Sequence, residues 1–172
     1  IHAYSLMHDD MPCMDDAALR RGRPTTHRAH GEAVTMRAGA ALIPAAALQA
    51  LEACRALGCP PAAGLAATRA LLEGSGAGGM VGGQWLDLRG EGRALGAADL
   101  DDLHRRKTGA LLTASLVVGG VAAGASERVR EGLEAYGRAI GLAFQIADDI
   151  LDATASAEAL GKNPSDAQLD KS

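Results

Sequence analysis

The chain has 172 residues and a net charge of −4, and it is 48% hydrophobic but only 2% aromatic. That length suffices for one domain with a real core, and the charge leaves no basic surface to advertise nucleic acid. The apolar fraction is mostly alanine, leucine and glycine, which favours closely packed helices over strands.

In chain order, residues 1–11 read as a helix that Pro12 interrupts. Residues 16–26 read as a loop with a Gly-Arg-Pro turn signal, 32–57 as a helix kinked at Pro44, and Gly58-Cys59-Pro60-Pro61 as a break. Residues 62–88 read as one helix, although glycines at 74, 76, 78, 79, 82 and 83 lie inside it. Each costs about 1 kcal/mol relative to alanine, so another helix or a ligand is expected to approach closely there. A polar connector over 89–96 leads to a helix over 98–103, with Asp99 near its positive end, and a break is expected near Thr108-Gly109. The uncharged stretch 108–126 holds four glycines, two threonines and two serines; it reads as a buried core helix, so no transmembrane segment is expected. Ser126 is placed to cap a long helix running to Leu151. Residues 153–172 carry no obvious packing element. There is no repeat, no hairpin signal and no secretory signal. Three cysteines, Cys13, Cys54 and Cys59, form no zinc spacing, which points to a reducing, cytoplasmic setting. The chain opens without Met, already in a helical pattern, and reads as one domain or a piece of one.

Two acidic clusters carry the chemistry: Asp9-Asp10-Met11-Pro12-Cys13-Met14-Asp15-Asp16 and Asp148-Asp149-Ile150-Leu151-Asp152. Both sit in apolar helical surroundings, where carboxylates are costly unless something positive meets them. Asp148 and Asp152 share one helix face, an arrangement that suits a hard divalent cation keeping water or phosphate in its shell. The plainer alternative is an exposed acidic patch, against which Phe144, Ile146, Ile150 and Leu151 argue. Asp9 and Asp15, six apart, fall on different faces of an unbroken helix. If two residues loop out around Pro12, they return to a one-turn relation; the plain alternative is a charged helix end. Arg20-Arg21 follows. Guanidinium forks hold phosphate oxygens bidentately, although an arginine pair by itself is usually solvated surface. Together the clusters predict two walls of one cavity for a diphosphate with its cations.

The ordered motifs resemble those of the trans-isoprenyl diphosphate synthases, most closely the bacterial-type farnesyl diphosphate synthases. His8 to Asp16 with Leu19-Arg20-Arg21-Gly22-Arg23-Pro24-Thr25 is similar to the first aspartate-rich motif in its two-residue-insertion form. Phe144-Gln145-Ile146-Ala147-Asp148-Asp149-Ile150-Leu151-Asp152 is similar to the second. Gly82-Gly83-Gln84-Trp85-Leu86-Asp87-Leu88, Lys107-Thr108-Gly109-Ala110-Leu111, and Leu160-Gly161-Lys162 with Asp166 and Lys171 match three further signatures. The resemblance spans essentially the whole chain, 1–172, as part of a polyprenyl synthase domain. It implies an all-α helical bundle around a central cavity, a homodimer and about three Mg²⁺ ions. It implies a prenyltransferase that condenses isopentenyl diphosphate with dimethylallyl or geranyl diphosphate. By carry-over, Asp9 and Asp15 bind two ions and Asp148 the third, with Asp10, Asp149 and Asp152 supporting. Arg20, Lys107 and Lys162 hold the allylic diphosphate, and His2 and Arg21 serve the isopentenyl side. The backbone at Lys107 and Thr108, with Gln145, faces the cationic carbon. Tyr4, five residues before Asp9, limits chain length and favours a C15 product.

The chain departs from the family pattern at Ala17 and Ala18, where acidic residues are common, and at Gly39-Ala40-Ala41-Leu42. The family's upstream Gly-Lys-x-x-Arg segment and its C-terminal helices are expected outside this stretch. Competing readings are a geranylgeranyl diphosphate synthase, a terpene cyclase (opposed by the intact second DDxxD) and a non-catalytic helical partner of a synthase.

Overall fold

In the computed structural model, the described residues are 1–90, 92 and 95–154, without the side chains of residues 152 and 153. They fold into α1 (His2–Asp9), β1 (Leu19–Arg20), β2 (Arg23–Pro24), α2 (Thr26–His30), α3 (Glu32–Ala56), α4 (Pro61–Ser75), α5 (Met80–Gly90), α6 (Ala97–His104), a π-helical turn (Arg105–Gly109), α7 (Ala110–Ala122) and α8 (Glu127–Thr154). The all-α expectation holds. Among the described residues, Ile1–Ala46 and 150–154 form one compact unit, and Ala47–Asp149 a second.

Three local readings need correction. The stretch 62–88 is not one helix, because α4 ends at Ser75 and α5 begins at Met80. The Gly76-Ala77-Gly78-Gly79 link has too little helix preference to continue the ladder. No break occurs at Thr108-Gly109: α6 passes into α7 through the π turn without leaving helical geometry. The loop after the first acidic cluster contains a hairpin, in which Leu19 pairs with Pro24 and Arg20 with Arg23. Its two central residues, Arg21 and Gly22, have φ of 52° and 75°. Two positive φ values in a two-residue loop are the signature of a type I′ turn, whose twist matches that of paired strands.

In the second unit the core gathers Cys54 of α3, Ala67 of α4 and Val121 of α7, with Cys59, Ala63, Val117, Val118 and Ala122 packed around them. The side chains are small, so the helix backbones come close. A Cβ on Gly74 would fall 2.6 Å from Ala114 Cβ and 2.9 Å from the Ala110 carbonyl oxygen, so only glycine lets α4 lie this near α7. The stretch around α7 was expected to be a buried core helix, and Ala114, Gly120 and Val121 are buried in it.

Among the described residues, the helix long and apolar enough by length and composition to cross a membrane is instead α3, with a mean hydropathy of 1.3. Pro44 lies inside it. Prolines are tolerated both in kinked soluble helices and in spanning ones, so the residue does not decide between them.

Candidate functional site

The first acidic cluster leaves α1 by a bulge. After Asp9 the chain makes a tight turn through Pro12, and the Asp15 N–H donates to the Asp9 carbonyl at 3.0 Å. The Asp16 N–H bonds the Met11 carbonyl at 3.0 Å, and the Ala17 N–H bonds the Asp10 carbonyl at 3.2 Å. An i→i+6 bond has taken the place of the helical i→i+4 bond, which is the two-residue loop-out expected around Pro12. Asp16 takes up the strain with φ of 44°. The Ala17 carbonyl accepts from Thr25 Oγ1 at 2.7 Å, and the Thr25 N–H donates to the Ala18 carbonyl at 3.1 Å. Ala17 and Ala18 thus serve through their backbone, so their departure from the family pattern leaves this framework intact.

Asp10, expected to support the cations, meets Arg20. The aspartate is 3% exposed, and Arg20 Nε donates to both of its oxygens at 2.8 and 2.9 Å, with Nη2 at 2.7 Å from Oδ1. A buried carboxylate meeting a guanidinium fork is a strong, directional pair. Its hydrogen bond to Asp10, foremost, raises the Arg20 pKa further, against a smaller lowering by burial. The hairpin delivers Arg20 to this position, and the turn leaves Arg21 exposed. Arg28 donates to Asp16 at 2.9 Å, a solvent-exposed pair that sequence reasoning missed. His2 is exposed at the start of α1.

Tyr4 is buried, with its ring edge-on to His8 at a centroid separation of 4.6 Å. Burial, and then the Asp9 charge, push its hydroxyl pKa up. Gly39 of α3 lies against His8, where a side chain would collide with the imidazole Nε2.

In the second unit the π turn organises a different set of residues. Lys107 Nζ lies 2.5 Å from Asp87 Oδ2 on α5. Thr108 Oγ1 donates to Gln145 Oε1 at 2.8 Å, and Gln145 Nε2 donates to Asp149 Oδ1 at 3.0 Å. His104, buried at the end of α6, places Nε2 at 3.7 Å from Asp149 Oδ2. Lys107, Thr108, Gln145 and Asp149, predicted separately from sequence, are therefore brought into two adjoining polar groups, one of Lys107 with Asp87 and one of Thr108, Gln145 and Asp149. Asp87 and His104 were missed as participants. Asp87 stands in the quoted Gly-Gly-Gln-Trp-Leu-Asp-Leu run, and that was the available signal. The close approach expected at the glycines occurs at Gly83, where a Cβ would strike the Lys107 backbone. Gly141 of α8 likewise meets the Gly109 Cα, 2.6 Å from where a Cβ would stand.

Asp148 and Asp149 lie on an exposed flank of α8. The apolar shield expected around them is not formed among the described residues: Phe144, Ile146, Ile150 and Leu151 are 55%, 49%, 57% and 53% exposed. Hydrophobicity in sequence reports what a side chain prefers, not what covers it. The Asp152 side chain and the whole of Lys162 fall outside the described residues. No three His, Cys, Asp or Glu side chains among the described residues cluster closely enough to hold a metal ion by themselves.

Comparison with known proteins gives a consistent result. The chain is 50% identical over 165 residues to a geranylfarnesyl diphosphate synthase of Leucosceptrum canum, covering 94% of this chain and 45% of that protein. It is 42% identical over 162 residues to a farnesyl diphosphate synthase of Geobacillus stearothermophilus, covering 94% and 54%. Among solved structures, a Helicobacter pylori geranyltransferase complexed with magnesium and isoprenyl diphosphate matches with a TM-score of 0.82 and 37% identity, over 94% of this chain and 52% of that one. The chain thus spans about half the length of the curated relatives it matches. Its helices follow the all-α fold of these isoprenyl synthases. The polyprenyl synthetase family matches residues 1–172, and the chain belongs to that family.

Proposed function

We propose that these residues are part of a polyprenyl synthase domain, working as a homodimer, that joins isopentenyl diphosphate to an allylic diphosphate. On this reading, dimethylallyl and geranyl diphosphates are the allylic partners and farnesyl diphosphate is the product. The bulge after α1 supports it most directly, because it sets Asp9 and Asp15 one backbone turn apart beside a guanidinium held in place by Asp10. The donor set is all oxygen. It fits Mg²⁺, which is ordinarily held by one or two carboxylates together with water and substrate phosphate. Asp9 and Asp15 would hold part of the complement of about three ions, and Asp148, with Asp149 and Asp152, would hold the rest. When bound, Mg²⁺ neutralises charge on the leaving diphosphate and so favours ionisation of its C–O bond.

The protein's own groups do the rest. Arg20 offers a fork to diphosphate oxygens, and Asp10 acts through Arg20 by fixing its direction. Lys107 and Lys162 add point charges on the allylic diphosphate. His2 and Arg21 serve the isopentenyl diphosphate. The backbone at Lys107 and Thr108, with the amide of Gln145 hydrogen-bonded to Thr108, turns dipoles toward the carbon that becomes cationic. The isopentenyl double bond attacks that carbon, and proton loss to the departing pyrophosphate restores neutrality. Tyr4 closes the path of the growing chain, with its ring fixed against His8.

Calorimetric titration of the protein with inorganic pyrophosphate, with and without Mg²⁺, tests the reading. Binding should require Mg²⁺ and disappear in Asp9→Ala. Equal heat with and without the cation would remove the cation from the site, and none in either case would favour a helical partner without a diphosphate site. Tyr4→Ala should lengthen the prenyl product, and an unchanged product spectrum would remove Tyr4 from chain-length control.

A further inference from the structure

We infer that Cys54 and Cys59 form an oxidisable dithiol, a disulfide site built into the end of α3. Their juxtaposition follows from how that helix stops. Gly58 adopts φ of 72°, the Cys59 N–H donates to the Cys54 carbonyl at 2.9 Å, and the Gly58 N–H donates to the Arg55 carbonyl at 3.1 Å. These are the paired 6→1 and 5→2 bonds of a Schellman motif, which brings the third-last helical residue and the second residue beyond the cap into side-chain contact. In most helices two apolar side chains meet there. Here two thiols meet, neither in a disulfide, with Cys59 packed against the core cluster that contains the buried Cys54.

The environments assign the two sulfurs different parts. Cys59 is partly exposed, and its thiol donates to the Ala122 carbonyl at 3.4 Å. Cys54 is 5% exposed, and burial, followed by the neighbouring Cys59, raises its pKa. A thiol held protonated is a poor first nucleophile. A hydroperoxide therefore reacts first at Cys59. The thiolate sulfur attacks the peroxide, the O–O bond breaks, and a sulfenic acid and one water form. The Cys54 sulfur then attacks Cys59, the S–O bond breaks, and a second water leaves with the Cys54 proton. Two thiols and one hydrogen peroxide thus give one disulfide and two waters. The new bond removes the Cys59 S–H and, with it, the donor to Ala122 at the end of α7. The crosslink encloses only a short loop, so it adds little to stability through the unfolded chain. Its effect is local, on the α3–α4 junction.

Arg55 stands between the two cysteines, which makes the test direct. The Cys13→Ser protein is treated with about one equivalent of hydrogen peroxide, digested with trypsin without reductant, and mapped by mass spectrometry. The expected product is peptide 38–55 joined to peptide 56–69, lighter than their sum by about two hydrogens and separated again by dithiothreitol. A Cys59→Ser version should lose the joined species, whereas unoxidised wild type read in the same map needs no substitution at either position. Stepwise oxygen addition at Cys59 with both peptides remaining separate would overturn the inference, as would joined peptides from two different molecules.

Discussion

Two cations of this chain are each held by an aspartate, and they are held in opposite ways. Arg20 meets a carboxylate that is 5% exposed at its side chain and engages both oxygens. Lys107 meets Asp87 through one oxygen, with both side chains partly open to water at 32% and 19%. The first pair is a rigid fork whose direction is fixed before any ligand arrives. The second is a point charge on a flexible stem that can exchange its partner. A type I′ hairpin next to a helix bulge presents the arginine, and a π turn presents the lysine. A hairpin fixes a direction, whereas a π turn advances a side chain around an otherwise continuous helix.

The contrast has consequences for stability and for binding. Arg20→Ala strands a buried carboxylate and should lower unfolding free energy by about 3 kcal/mol, whereas Asp10→Ala leaves an arginine that can turn to water and should cost about 1–2 kcal/mol. Urea denaturation of the two variants gives the order, and a costlier Asp10→Ala would show that the arginine, not the carboxylate, is the trapped partner. Arg20→Lys keeps the charge but loses the fork, and should weaken Mg²⁺-dependent pyrophosphate binding roughly tenfold. Lys107→Arg should change that affinity much less, and equal losses would mean that geometry matters alike at both positions. Asp87→Asn should shift stability by less than about 1 kcal/mol, as for other partly exposed pairs. A larger loss in urea would make the lysine pair as structural as the arginine one.

Much of this could be read from the chain before any fold was known. The bulge at Pro12 was legible because a proline inside a helical pattern and two aspartates six apart are local facts. The stop at Gly58 was legible for the same reason. The hairpin at 19–24 was not, since its strands are two residues each and an arginine at positive φ is no turn signal. The split at Gly76–Gly79 was hidden because small and apolar residues continue on both sides of it. Asp10 and Asp87 were legible as acids, but not as partners of Arg20 and Lys107, because partner choice is a tertiary fact. The exposure of Phe144 and Ile150 could not be inferred either, since a side chain's preference for burial does not supply the surface that buries it.

The π turn at Arg105–Gly109 has one last implication. It behaves as a single extra residue accommodated in an otherwise α-helical run. Deleting one residue there would restore ordinary winding, leave the flanking helices near their present register, and shift the remaining residues of the turn around the axis by up to about 100°. Lys107 and Thr108 would then no longer meet Asp87 and Gln145, although every one of those side chains was still present. Phase, as much as composition, is what this segment contributes.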